Sequence, residues 1–190
     1  HVLINHGMDP NHIIVMSYDD AVNHKSNPIP GKMYNMPDGP DVYAGCVIDY
    51  KGSAVTANNF MKVLTGEPTG LDGAPGEANG KVIKSNSNSN IFIFYSDHGS
   101  SGLIAMPVGG YLYADALEKT LKKMHSLNMY KKMVFYLEAC FSGSMFNKFT
   151  TLSQLNIFAV TAATASQSSY AKYCGSQAKV GGVLIGSCLG

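Results

Sequence analysis

Short apolar runs separated by polar, Gly- and Pro-rich stretches dominate the chain. The run His12 to Ser17 (HIIVMS), closed by Tyr18-Asp19-Asp20, predicts a buried strand. From Asn27 to Gly45 the chain is rich in turn signals, including Pro37-Asp38-Gly39-Pro40. Thr56 to Leu64 predicts a short helix with Phe60, Met61 and Leu64 apolar, and Gly66 to Gly80 predicts a long exposed loop open to proteolytic nicking. The strongest signal follows the polar SNSNSN tract. Ile91 to Tyr95 (IFIFY) is an aromatic, apolar strand. Ala114 to Leu127 carries Leu117, Leu121 and Met124 at helical spacing, with Asp115 and Glu118 early and Lys119, Lys122 and Lys123 late, the charge order that suits a helix dipole. Met133 to Leu137 (MVFYL) and Asn156 to Thr161 are further strands.

Strand, helix and strand within about 45 residues make a βαβ unit, whose crossover places the strands parallel. Strands that are apolar throughout suit a parallel sheet covered by helices on both faces. The expected class is therefore α/β, and 190 residues suit a single domain over 1–190. The N-terminal HVLINHGMDP reads as starting inside a helix, and VGGVLIGSCLG ends on an apolar stretch, so both ends read as cuts through a larger domain.

Composition narrows the function. Net charge is +1 with no basic stripe, which gives a nucleic-acid partner no electrostatic support. No apolar run approaches the ~18 residues of a membrane-spanning helix. The four cysteines, Cys46, Cys140, Cys174 and Cys188, form no zinc-type spacing, and His6 and His12 read as surface residues, so no metal is expected. Cys174 and Cys188 are close enough in sequence to pair, which the sequence alone leaves open. All 14 basic residues are Lys, and the chain has no Arg.

Candidate chemistry sits where two strands end. The first strand of the unit runs into Ser96-Asp97-His98-Gly99-Ser100-Ser101-Gly102 and the second into Glu138-Ala139-Cys140-Phe141-Ser142-Gly143-Ser144. Ligands of open α/β sheets bind beyond the carboxyl ends of the strands. A parallel pairing puts His98 and Cys140 side by side there, and a thiol beside an imidazole is a nucleophile with its base. The N–H groups of Gly99 and Cys140 are candidates for an oxyanion hole. Either residue alone is more often structural than catalytic; the joint placement is what favours chemistry. Glu138, two residues before Cys140, reads either as a surface carboxylate or as an acceptor for a substrate amide or cation. Ser168-Ser169-Tyr170 reads either as a solvated loop or as a pocket wall.

These motifs resemble the legumain family, asparaginyl endopeptidases among the caspase-like cysteine peptidases. YSDHGSSG, MVFYLEACFSGSMF, the MSYDDAVNHKSNPIPGKMYNMPDGPDVYAGCVIDYKG stretch, TAATASQSSYA and the terminal LG all carry the likeness, which covers nearly the whole chain. The related GPI-anchor transamidase subunit has Asp rather than Glu two residues before its Cys, and caspases have a QAC-type motif. The resemblance implies a caspase-like fold, with an N-terminal strand and a C-terminal segment missing from these 190 residues. It implies Cys140 as nucleophile, His98 as base and Gly99 in the oxyanion hole. Glu138, Ser168, Ser169 and Tyr170 then line the substrate site, and Asp97 is a tuning residue. It implies hydrolysis after Asn, and after Asp at acid pH, with no cofactor. Partners would be Asn-containing peptides and proteins, the protein's own prodomain and cystatin-type inhibitors, in a lysosomal, vacuolar or secreted setting. An Asn side-chain amide needs both an acceptor and a donor. Glu138 supplies the first. In the family an Arg supplies the second, from a segment that also carries an Asn orienting the His, and an Asp follows the final LG. None of the three is present here. Phe141 also stands where many legumains have Glu or Gln. Two alternatives therefore stay open: an asparaginyl transpeptidase or ligase on the same scaffold, and an inactive fragment that only binds.

Overall fold

A computed structural model describes residues 1–36, 39–147, 149, 152–172, 179–180 and 182–184. The Pro37-Asp38 turn, Cys174, Cys188 and the terminal LG lie outside the described residues.

At the centre are three parallel strands: β1 (Asn90–Ser96), β5 (Lys132–Glu138) and β6 (Ile157–Thr161), in the order β1-β5-β6. The crossover from β1 to β5 contains a small antiparallel sheet, β2 (Gly99–Ser100), β3 (Leu103–Ala105) and β4 (Tyr111–Tyr113), and then helix α3 (Ala114–Ser126). The expected βαβ unit is thus present, with a hairpin inserted directly after His98.

The core lies on one face of the sheet. Ile93 and Tyr95 of β1, Met133, Phe135 and Leu137 of β5 and Ile157 of β6 alternate into it, and Leu117, Leu121 and Met124 of α3 meet them. That i, i+4, i+7 stripe is what the sequence spacing of the helix dictates. Phe135 is fully buried and stacks edge-on to Phe146 at 5.7 Å. Helix α2 (Ala57–Thr65) is capped by the Thr56 hydroxyl, which accepts the Asn59 N–H at 3.1 Å. It packs on the same side, giving Leu64 to the main core and Val63 to a smaller cluster with Tyr50, Ala54 and Val82.

Helices were expected on both faces. Among the described residues they cover only this one. On the other, Phe92, Phe94, Tyr136, Phe158 and Val160 are exposed. An apolar period of one along IFIFY, rather than two, records a sheet whose second face is equally apolar, but it does not supply the cover.

The N-terminal run departs from its expected strand. Helix α1 (Val2–Asn5) and a 3-10 turn at Pro10–His12 precede it, and only Met16 makes a ladder-type bridge, to Tyr50. The backbone of this run is used differently. The Val15 N–H goes to the Asp49 carboxylate at 2.9 Å, and the Val15 carbonyl accepts both Asp49 and Tyr50 N–H groups. A side chain has taken the donor a neighbouring strand would have used.

Candidate active site

The register of β1 on β5 ends at Ser96↔Glu138. One residue further the Asp97 N–H donates to the Glu138 carbonyl at 3.2 Å, so the two chains leave the sheet together. His98 and Cys140 therefore come next on adjacent strands. Gly99 lies directly on the Cys140 turn: a Cβ there would fall within contact of the Cys140 carbonyl oxygen and 2.9 Å from the Ala139 methyl. Only glycine permits that approach.

Cys140 opens a tight turn into the 3-10 segment Ser142–Met145. Phe141 takes the left-handed conformation, φ 56°, which costs a bulky side chain energy and is found where the surroundings fix it. Here its N–H donates to the Gln167 carbonyl at 2.7 Å and its carbonyl accepts the Ser144 N–H at 2.8 Å. Gly143 then passes the 163–165 segment so closely that a Cβ would sit 2.8 Å from the Ala165 nitrogen. Its N–H bonds to the Ala163 carbonyl at 3.0 Å.

The thiol of Cys140 is half-buried and lies 3.9 Å from the Ser169 carbonyl and 3.8 Å from the Ser169 hydroxyl. Backbone hydrogen bonding by Ser169 is the main reason the thiol is held below its ordinary pKa, with the Ser169 and Ser168 hydroxyls adding to it; partial burial and the Glu138 charge oppose them. A thiol biased towards thiolate is the reactive form. Glu138 is half-buried at the end of β5, and the Ser96 hydroxyl donates to its Oε2 at 3.3 Å. Asp97 is half-buried, and its Oδ1 accepts the His98 N–H at 2.6 Å, while the His98 ring is exposed.

The structure thus brings His98, Gly99, Glu138 and Cys140 to one sheet edge, with Asp97 between strand and hairpin. Ser168 and Ser169 reach the thiol. Tyr170 follows them in the chain but is 76% exposed. Three contributors were not legible from composition: Gln167, which anchors the turn through its carbonyl, and Ser142 and Ser144, whose hydroxyls bind neighbouring loops. The SGS spacing after the Cys was the available signal, since small hydroxyl residues in a turn bond nearby backbone. Among the described residues no group of three His, Cys, Asp or Glu side chains is arranged to hold a metal ion. No described helix is long and apolar enough to cross a membrane.

Comparison with known proteins gives a consistent result. The model of the Peptidase C13 family matches residues 1–190. The chain is 47% identical over 189 residues to a vacuolar-processing enzyme delta-isozyme of Arabidopsis thaliana, covering 100% of this chain and 40% of that protein. It is 45% identical to a hemoglobinase of Schistosoma mansoni, over 92% of this chain and 38% of the relative. It is 42% identical to a legumain of Mus musculus, over 90% of this chain and 38% of the relative. The chain spans about two fifths of the length of these curated relatives.

Proposed function

The chain belongs to the Peptidase C13 family, and from that premise we propose that it carries the catalytic centre of a cysteine endopeptidase that cleaves after Asn, and after Asp at acid pH. The observation that carries the reading is the seating of Gly99 on the Cys140 carbonyl at the end of the parallel β1–β5 pair, which brings the His98 and Cys140 backbones together.

The chemistry runs through these residues. His98 takes the thiol proton, and the Cys140 sulfur attacks the scissile carbonyl carbon. The oxyanion is received by the Gly99 and Cys140 N–H groups, a kind of contact worth about 3 kcal/mol per donor. As the C–N bond breaks, His98 returns the proton to the leaving amine. Water, deprotonated by His98, then hydrolyses the thioester. Glu138 accepts hydrogen bonds from the Asn side-chain NH2 group, and Ser168 and Ser169 shape the wall beside it. Asp97 fixes the backbone entering His98. The names of the vacuolar-processing relatives support an acidic vacuolar or lysosomal setting for the whole protein. Its proposed partners at this cleft are Asn-containing peptides, its own prodomain and cystatin-type inhibitors.

The test uses fluorogenic peptides with Asn, Asp or Gln before the scissile bond. Full-length protein should cut the Asn peptide, and Cys140→Ala and His98→Ala should each lose at least about 10³-fold in kcat. Undiminished turnover by Cys140→Ala would sink the mechanism. Product masses with an added peptide amine separate hydrolysis from acyl transfer.

A further inference from the structure

The hairpin that carries His98 is fastened to the segment that carries Cys140 at two points on either side of the thiol. Before Cys140, the Asp97 N–H donates to the Glu138 carbonyl at 3.2 Å. After it, the Ser144 hydroxyl accepts the Gly102 N–H at 2.8 Å and reaches the Ser100 carbonyl at 3.5 Å. Ser100 and Gly102 belong to the tip of the β2–β3 hairpin, in which Ser100 pairs with Leu103. The base of that hairpin is closed by the Ala105 N–H on the His98 carbonyl at 2.9 Å. A hydroxyl has one donor and two acceptor positions, and Ser144 directs both kinds at the hairpin tip. It is 9% exposed, so water is a poor substitute.

Ser142 does a related job on the opposite side. Its buried hydroxyl accepts the Ala163 N–H at 3.0 Å and donates to the Ala163 carbonyl at 3.2 Å. That ties the Cys140 turn to the segment just after β6, which leads on to Ser169. Ser142 thus bonds to the segment on one side of the Cys140 turn and Ser144 to the hairpin on the other.

We infer that Ser144 is a positioning residue, which sets the His98 imidazole against the Cys140 thiol by pinning the tip of the His98 hairpin to the turn after the nucleophile. The inference rests on the Cys140/His98 reading and adds a residue that touches neither substrate nor thiol. Without the hydroxyl, the hairpin keeps its own ladder, its pairing with β4, the Ala114 N–H bond to the Gly102 carbonyl and its attachment at Glu138, but its tip is no longer tied to the turn after Cys140. The backbone that carries the His98 ring is then held less closely beside Cys140, while the Glu138 side of the substrate site is untouched.

The experiment compares full-length protein with Ser144→Ala, Ser144→Thr and Ser144→Val. Measured are kcat and KM on an Asn peptide, the pH dependence of iodoacetamide alkylation at Cys140, and the thermal midpoint. Ser144→Ala should lower kcat about 10–100-fold, as small misplacements of a catalytic group do, with KM within about twofold. Its alkylation profile should move to higher pH, because a displaced ring at position 98 takes up the thiol proton less readily. Ser144→Thr should restore both. If Ser144→Ala does not accumulate folded, Thr and Val are compared directly: they share a shape and differ in the hydroxyl, so only Val should show the shifted profile. A wild-type alkylation profile in Ser144→Ala, or equal profiles for Thr and Val, overturns the proposal even if stability falls. Cys140→Ala and His98→Ala run alongside; if these retain turnover it is the underlying mechanism that fails, and if they are inactive while Ser144→Ala is silent, the positioning role alone fails.

Discussion

In the proposed mechanism Glu138 has two opposed effects on the same centre. Its charge raises the Cys140 pKa, against the larger lowering by Ser169, yet a carboxylate is what an Asn side chain needs as acceptor. Glu138→Gln removes the charge and keeps the shape. The thiol pKa should then fall, so the alkylation profile of Cys140 moves to lower pH. KM for the Asn peptide should rise, because an amide replaces an acceptor-only group with one that also presents donors. Measuring both on one variant separates the electrostatic from the recognition role: an upward-shifted profile would contradict the assignment. Asn59 tests a different kind of residue. It is fully buried, its Nδ2 donates to the Ala54 and Asp72 carbonyls at 2.8 and 2.9 Å, and its Oδ1 accepts the Asp72 N–H at 2.8 Å. Asn59→Ala strands three backbone groups and should cost about 2–4 kcal/mol in urea unfolding. Site legibility differed in the same way from residue to residue. His98, Cys140 and Glu138 stand out by residue type at strand ends, with Gly99 beside the His and Gly143 three residues after the Cys. Ser144, Gln167 and Asn59 act through ordinary hydroxyl, carbonyl and amide groups, and those chemistries become specific only when the partner is known.

Among the elements, β1, β5, β6, α2 and α3 follow the sequence pattern to within about a residue or two at each end, because each buries enough of its own apolar stripe to be fixed by local chemistry and one packing partner. The run at 12–17 has equal apolar character and fails to become a strand, since a strand exists only with a ladder partner and here the Asp49 carboxylate takes the Val15 N–H. The hairpin of β2 and β3 escapes sequence reading for the opposite reason: it is too short to have a period. The two faces of β5 provide the element's own test. Phe135 is fully buried against Phe146, whereas Tyr136 points to the exposed face and meets Phe92 edge-on at 5.3 Å. Phe135→Ala should cost about 3–5 kcal/mol. Tyr136→Ala should cost about 1 kcal/mol or less, the worth of a cross-strand aromatic pair. Chemical denaturation of the two variants would reverse that order if the buried face were misassigned.

For the whole molecule, the α/β class and the parallel sheet were legible because crossover handedness and strand apolarity leave few topologies. What fastens some of the outer loops was not, because it includes carboxylate contacts between residues far apart in the sequence. The Glu67 carboxylate meets Lys123 of α3 at 2.6 Å, across 56 residues of chain. The Glu77 carboxylate accepts the Ser53 hydroxyl and the Ser53 and Ala74 N–H groups at 2.9 and 3.1 Å. Both are held below the ordinary value of 4.5, Glu67 chiefly by its Lys123 hydrogen bond and Glu77 chiefly by Ser53. A carboxylate whose folded pKa is depressed contributes stability that is present above its unfolded pKa and lost as pH falls through the folded one. These ties should therefore hold from neutral pH down to about 4.5 and weaken below it. Thermal unfolding of full-length protein between pH 7 and pH 3 checks this, with Glu77→Gln as comparison. The wild-type midpoint should fall more steeply below pH 4.5 than the variant's, and the two curves should converge at the acid end. Parallel curves across the whole range would show that Glu77 contributes nothing that depends on its ionisation.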